Sequence, residues 1–89
     1  MKDIKRAERV FKGVANRIRL EILVLLGKNP ELSVVDISDR LKSELRNVSQ
    51  HLLKMEAGGI VMKRHEGNFV RLALTNRGKS ILQFYRIME

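Results

Sequence analysis

Arg46, Asn47, Gln50 and Lys54 cluster in one short stretch of this 89-residue chain, and all four can hydrogen-bond to an extended polar partner. Guanidinium and amide groups match the donor and acceptor edges of nucleic-acid bases, while Lys and Arg attract phosphates. These residues lie within Leu41 to Gly59, LKSELRNVSQHLLKMEAGG, where Leu45, Val48, Leu52 and Met55 recur at helical spacing. That spacing predicts a helix with one core-facing stripe and the polar side chains largely on its other side. Ile60 to Leu74 follows at once and carries Lys63, Arg64 and Arg71, basic groups able to reach a second groove or the backbone of the same partner.

No catalytic pattern competes with this one. His51 and His65 each stand without a second ligand at metal spacing. His51 is therefore expected to pack or to contact backbone, and His65 to lie near phosphate or in solvent. Asp36 falls in the first turn of a predicted helix, where an acid has an ordinary electrostatic reason to be. Ser33 and Ser49 lack a histidine or acid spaced to activate them. No glycine-rich phosphate loop occurs. The expectation is a non-enzymatic chain with no catalytic, cofactor-binding or metal-binding residues.

Composition supports a polyanionic partner. Lys and Arg total 18 against 10 Asp and Glu, a formal charge of +8, and each phosphate such a surface neutralises releases condensed counterions. There is no cysteine, which excludes disulfides, cysteine-zinc sites and thiol chemistry. The longest apolar run, Ile22 to Leu26, is far too short to span a bilayer, and Met1 to Arg9 is charged where a secretory signal would be apolar. These features predict a soluble cytoplasmic, nucleoid-associated protein with no membrane partner, formed as a single domain over residues 1–89.

The elements that must position the polar cluster can be read in order. Ile4, Ala7, Phe11 and Val14 predict a helix from about Asp3 to Val14, ended by Gly13 and Asn16. Its basic residues Lys2, Lys5, Arg6, Arg9 and Lys12 are expected to form a solvated face. Asn16 is the predicted N-cap of a second, central helix reaching Gly27, with Ile18, Ile22, Leu25 and Leu26 buried and Leu20 and Leu23 widening the stripe. Gly27 and Asn29-Pro30 stop it. Ser33 starts a third helix with Asp36 as an acidic capping-box partner and Val34, Ile37 and Leu41 inward. Ser43 is the expected cap of the fourth helix, which ends at Gly58-Gly59. Two short helices joined by a brief turn make a helix-turn-helix.

The period then changes. Ile60 to Glu66 and Asn68 to Leu74 predict a hairpin turning at Gly67-Asn68, with Val70, Leu72 and Leu74 on the core face and Phe69, Arg71 and Ala73 more exposed. Thr75 caps a last helix running towards Met88, whose Ile81, Leu82, Phe84, Tyr85 and Met88 cover more than one face. The fold class is mainly α with a small β-hairpin, a winged helix-turn-helix in the order α-α-α-α-β-β-α, with room for a short extra strand near Leu32.

At this point the residues resemble the ArsR-type winged-helix transcriptional repressors. Phe11 to Leu23, FKGVANRIRLEIL, is similar to that family's approach to its second helix, and Glu31 to Ile37, ELSVVDI, to its ELCVCDL segment. Val48 to Leu52, VSQHL, resembles VSRHL of its recognition helix, with Ala57-Gly58 at the usual exit and Glu66-Gly67-Asn68 at the wing turn. The likeness covers roughly residues 7 to 74. Arg17 stands where the family often has proline. Leu74 to Lys79, LTNRGK, resembles instead the LTxxG lead-in to the final helix of MarR- and PadR-type winged helices. In the metal-sensing branch both cysteines of ELCVCDL are ligands, and here Ser33 and Val35 replace them. Other branches place histidines on the last helix, and Thr75 to Glu89 has none.

The resemblance implies a homodimeric, sequence-specific regulator of double-stranded DNA, a repressor that does not sense metal. Its DNA contacts are expected from Ser43, Arg46, Asn47, Ser49, Gln50, Lys54, Lys63, Arg64 and Arg71. Its dimer contacts are expected from Ile4, Ala7, Phe11, Ile81, Phe84, Tyr85 and Met88, which give two terminal helices too much apolar surface for so small a monomer to hide. Two rivals remain open: an architectural DNA-binding protein with little sequence preference, and a winged helix used for protein–protein contact.

Overall fold

Asp3 caps the first helix, α1 (Ile4–Lys12), its carboxylate accepting from the backbone N–H groups of Lys5 at 3.0 Å and Arg6 at 3.3 Å. The computed structural model describes residues 3–88, so Lys2 of the amino-terminal basic run lies outside the described residues. Gly13 ends α1 at Lys12, two residues before the Val14 that the apolar spacing predicts. Asn16 caps α2 (Arg17–Lys28) as expected, accepting from Ile18 at 2.9 Å and Arg19 at 3.3 Å. Each such bond satisfies a donor that the first helical turn would otherwise leave unpaired.

Ser33 ends a two-residue strand, β1 (Leu32–Ser33), and opens α3 (Val34–Leu41). The predicted capping box is present: Ser33 Oγ accepts from the Asp36 N–H, and the Asp36 carboxylate accepts from the Ser33 N–H, both at 3.1 Å. The Ser33 backbone and hydroxyl hold Asp36 below the usual carboxylate range, so this acid is a structural one. There follow α4 (Leu45–Ala57), the hairpin β2 (Val61–Glu66) and β3 (Phe69–Leu74), and α5 (Asn76–Met88).

The expected Ser43 cap of α4 is not formed. Glu44 is the N-cap, without a side-chain bond, because Ser43 is committed to the exit from α3. Lys42 takes a left-handed conformation (φ 54°), the Ser43 N–H closes on the Ser38 carbonyl at 3.1 Å, and the Ser38 hydroxyl donates to the Ser43 carbonyl at 2.5 Å. This Schellman-type closure sets the turn of the helix-turn-helix.

The strands form one antiparallel sheet in the order β1-β3-β2, with Leu32 opposite Leu72 and Val61 opposite Leu74. Gly67, at φ 59°, makes the hairpin turn that primed geometry requires. The core gathers Ile22, Leu23 and Leu26 of α2, Ile37 of α3, Val48, Leu52 and Met55 of α4, Ile60, Val61, Leu72 and Leu74 of the hairpin, and Leu82 of α5. Val70 is half-buried, as are Arg71 and Ala73 on the opposite face of β3.

Several stripe residues differ from expectation. Val10 is the core residue of α1, while Ile4 and Phe11 face outward. Ile18, Leu25, Val34 and Leu41 are only half-buried, and Leu45 is 47% exposed. The cause at α1 is a close helix crossing. A Cβ on Gly58 would lie 2.7 Å from the Arg9 carbonyl oxygen and 3.4 Å from the Val10 Cα, so the end of α4 sits against the Arg9–Val10 side of α1.

Thr75 joins the hairpin to α5. Its hydroxyl donates to the Gly59 carbonyl at 2.5 Å and accepts from the Gly78 N–H at 3.0 Å, which fulfils its predicted capping role. Gly78 itself has no room for a side chain: a Cβ there would stand 2.2 Å from the Ile60 carbonyl oxygen. The LTxxG pattern is thus a steric requirement of seating α5 on the start of the wing.

Candidate nucleic-acid interface

The site begins with α4. Val48, Leu52 and Met55 are buried at 0%, 1% and 0% exposure and lock the inner face of the helix into the core. Arg46, Asn47, Gln50 and Lys54 are all exposed, so the structure brings the four together on the outer side. Arg46 and Lys54 have no ion-pair partner among the described residues. Ser49 is half-buried and lines, with Leu45, Val35 and Phe69, a groove between the helix-turn-helix and the tip of the hairpin. Ser43 is half-buried in the turn described above, where its carbonyl accepts from the Ser38 hydroxyl.

His51 is turned towards α2. The Arg19 guanidinium donates from Nε to His51 Nδ1 at 3.2 Å and from Nη1 to the Lys12 carbonyl, tying α4 to α2 and to the end of α1. Burial, and then the positive charge of Arg19, hold the imidazole pKa below its ordinary value. A neutral ring can accept at Nδ1 and a protonated one cannot. The Arg19–His51 contact crosses 32 positions of sequence, and no local pattern signals it.

The wing presents its cations differently. Lys63 meets Glu56 at 3.5 Å, and Arg64 meets Glu31 at 2.8 Å and Glu66 at 3.6 Å. Arg71 meets Glu66 at 3.6 Å, donates to the Glu31 carbonyl at 3.1 Å and lies 5.6 Å from the centre of the Phe69 ring. Glu31 is held at φ 71°, its N–H bonded to the Leu72 carbonyl, so the acid is fixed beside the hairpin. Sequence reading counted these cations and missed the acids that pair with them. His65 is exposed on β2 opposite Val70.

The helices α1 and α5 flank an apolar groove of about 590 Å3, lined by Phe11, Val14, Ile81, Phe84, Tyr85 and Met88 among others. Phe11 is 70% exposed and Phe84 59%, while Ala7, Ile81 and Tyr85 are half-buried and Ile4 and Met88 are exposed. Five of the seven residues expected to mediate self-association, Phe11, Ile81, Phe84, Tyr85 and Met88, line this groove, whereas Ile4 and Ala7 of α1 do not. Among the described residues no cluster of three or more His, Cys, Asp or Glu is arranged to hold a metal ion. No described helix is long and apolar enough to cross a membrane.

A helix-turn-helix with an exposed polar second helix, followed by a basic hairpin, defines a DNA-binding winged helix. Residues 16–62 match the winged helix-turn-helix DNA-binding family. An HTH-type transcriptional regulator of Methanocaldococcus jannaschii is 36% identical over 69 residues, 78% of each chain. The transcriptional activator HlyU of Vibrio cholerae is 37% identical over 75 residues, 84% of this chain and 68% of the relative. Among solved structures, the homodimeric winged helix-turn-helix DNA-binding domain of a possible ArsR-family regulator from Mycobacterium bovis superposes with a TM-score of 0.87. It is 27% identical, over 96% of this chain and 79% of that one. The chain belongs to the ArsR family of winged helix-turn-helix transcriptional regulators. It is a DNA-binding regulator and not an enzyme.

Proposed function

We propose that the chain acts as a single-domain, homodimeric, sequence-specific repressor that works on the nucleoid in the cytoplasm and does not respond to transition metals. The observation that carries the reading is the outer face of α4, where Arg46, Asn47 and Gln50 stand exposed early on a helix anchored by Val48, Leu52 and Met55. Arg favours guanine and Asn or Gln favours adenine by bidentate hydrogen-bond geometry. Lys54, and Lys63, Arg64 and Arg71 of the wing, supply phosphate contacts. The wing cations do so by exchanging a carboxylate for a phosphate, which is feasible because exposed ion pairs contribute only about 0–1 kcal/mol. Ser43 and Ser49 flank the helix start as hydroxyl donors to the backbone.

Dimerisation through α1 and α5 is supported by the apolar groove they share and by the homodimeric state described for the M. bovis domain. Light scattering at micromolar concentration should give twice the chain mass, and Phe84→Asp or Tyr85→Asp should weaken self-association and DNA binding together. A concentration-independent monomer would refute this part. Selection from a random DNA pool should return an imperfect palindrome with half-sites about one helical turn apart. Binding without any preferred site would favour an architectural role, and no binding at modest salt would favour a protein-contact role.

Repression needs only that an occupied site block polymerase. Transcription from a template carrying the selected site should fall when the protein is added, and a rise would make it an activator, as the V. cholerae relative is described. Metal insensitivity rests on Ser33 and Val35, neither of which offers a soft ligand. Low-micromolar zinc, cadmium, nickel or copper should leave the DNA affinity unchanged, and a saturable, stoichiometric drop would reveal a site.

A further inference from the structure

Leu53 is the misfit on the outer face of α4. It follows Arg46 by seven residues and Gln50 by three, so the three side chains share one side of the helix. Its immediate neighbour Leu52 is 1% exposed in the core, whereas Leu53 is 50% exposed. Leu45, the other half-exposed leucine of this helix, has apolar company in the groove formed with Val35 and Phe69. Leu53 lines neither that groove nor the one between α1 and α5. It is an aliphatic group set among polar side chains that include two cations without an acidic partner among the described residues, Arg46 and Lys54.

A polyanion approaching that face offers few apolar features. Phosphates and base edges present charge and hydrogen-bonding groups, which a leucine cannot use. The exception in the major groove is the thymine C5-methyl, which projects from the base edge and is read by apolar contact. The minor groove presents no such methyl. We infer that Leu53 is a specificity-determining residue that packs on a thymine methyl in each half-site. The inference rests on the proposed reading of DNA by α4. Seven residues of helix advance about 10 Å, and base pairs stack about 3.4 Å apart, so this thymine lies within about three base pairs of the base met by Arg46.

The test uses the full chain and the best duplex recovered from a random pool, in which each thymine is replaced in turn by deoxyuridine, a change that removes only the methyl group. At one position per half-site, the replacement should weaken wild-type binding roughly fourfold, the worth of one buried methyl or methylene group. Leu53→Ala should weaken binding to the thymine duplex to a similar degree and be indifferent to that same replacement. Leu53→Met, which keeps an apolar side chain of similar size, should retain the sensitivity. Leu53 is half-exposed on a helix and alanine is a strong helix former, so the variant should keep its thermal midpoint within a few degrees. If a preferred site is recovered but the effects of Leu53→Ala and of deoxyuridine are independent at every thymine, the assignment of Leu53 is overturned while sequence reading by α4 stands. If the pool yields no preferred site, the reading by α4 falls and the assignment falls with it.

Discussion

Arg46 and Lys54 of α4 face solvent with no carboxylate in reach among the described residues, whereas Lys63, Arg64 and Arg71 of the wing each meet one. The two regions carry cations of similar number and would contribute equally to a count of charge. They do not present equal fields. An unpaired guanidinium draws a phosphate or a guanine directly, while a paired one must first give up Glu31, Glu56 or Glu66. In the proposed DNA-binding mode the helix is therefore expected to make the primary contact, with the wing a reserve whose strength is set by its own acids. The lesson is that net charge locates a binding face poorly until the internal ion pairs have been subtracted.

Three measurements sharpen or break that contrast. The largest effect should come from α4: Arg46→Ala or Gln50→Ala should cost about 1–3 kcal/mol on the selected site and relax preference at one or two positions. Equal losses on selected and scrambled duplexes would show that the helix does not read sequence.

A smaller effect should come from the wing, and its sign is diagnostic. Arg71→Ala should lower the slope of log affinity against log salt by less than about one unit, because part of its charge is already neutralised. Glu31→Ala should act in the opposite sense, releasing Arg64 from the nearer of its two carboxylates and steepening the salt dependence by less than about one unit, since Glu66 still stands 3.6 Å from it. If Arg71→Ala lowers the slope by a full unit and Glu31→Ala leaves it unchanged, the wing cations are as available as those of α4.

The smallest effect concerns the seating of α4. The folded-state pKa of His51 lies below its ordinary 6.5, so the unfolded chain binds the proton more readily. The stabilisation from the Arg19–His51 contact is complete above about pH 6.5 and fades as pH falls through the depressed folded value. The thermal midpoint should drop as the pH is lowered from neutral towards 5, and His51→Gln should flatten that part of the profile. An unchanged profile in the variant would remove His51 from the account of how the recognition helix is held.

Much of this arrangement was legible in the sequence because it is local. Asn16, the Ser33–Asp36 box and Thr75 act on N–H groups two or three residues away, so their spacing alone placed three helix starts within a turn. The two-residue turn at Gly67-Asn68 fixed the hairpin register, since Glu66 and Phe69 must then pair. The buried stripe Val48, Leu52 and Met55 followed from period alone, and its opposite face followed with it.

What the sequence left open lies in contacts between distant segments. Whether Val10 or Phe11 enters the core was decided by where α4 crosses α1, at Gly58, because both residues are apolar and adjacent. Leu45 completes the helical stripe in sequence yet stays half-exposed, since the groove it lines with Val35 and Phe69 of other elements is open to solvent. Ser43 is a good cap by type, but the exit from α3 claimed its backbone first. Above all, Arg64 finds Glu31 across 33 positions, and Arg19 finds His51 across 32. Residue types and periods determined which helix carries the exposed polar face and which strands form the hairpin. Only tertiary structure decided which cations are already paired, because an ion pair depends on distance in space and no spacing along the chain encodes that distance.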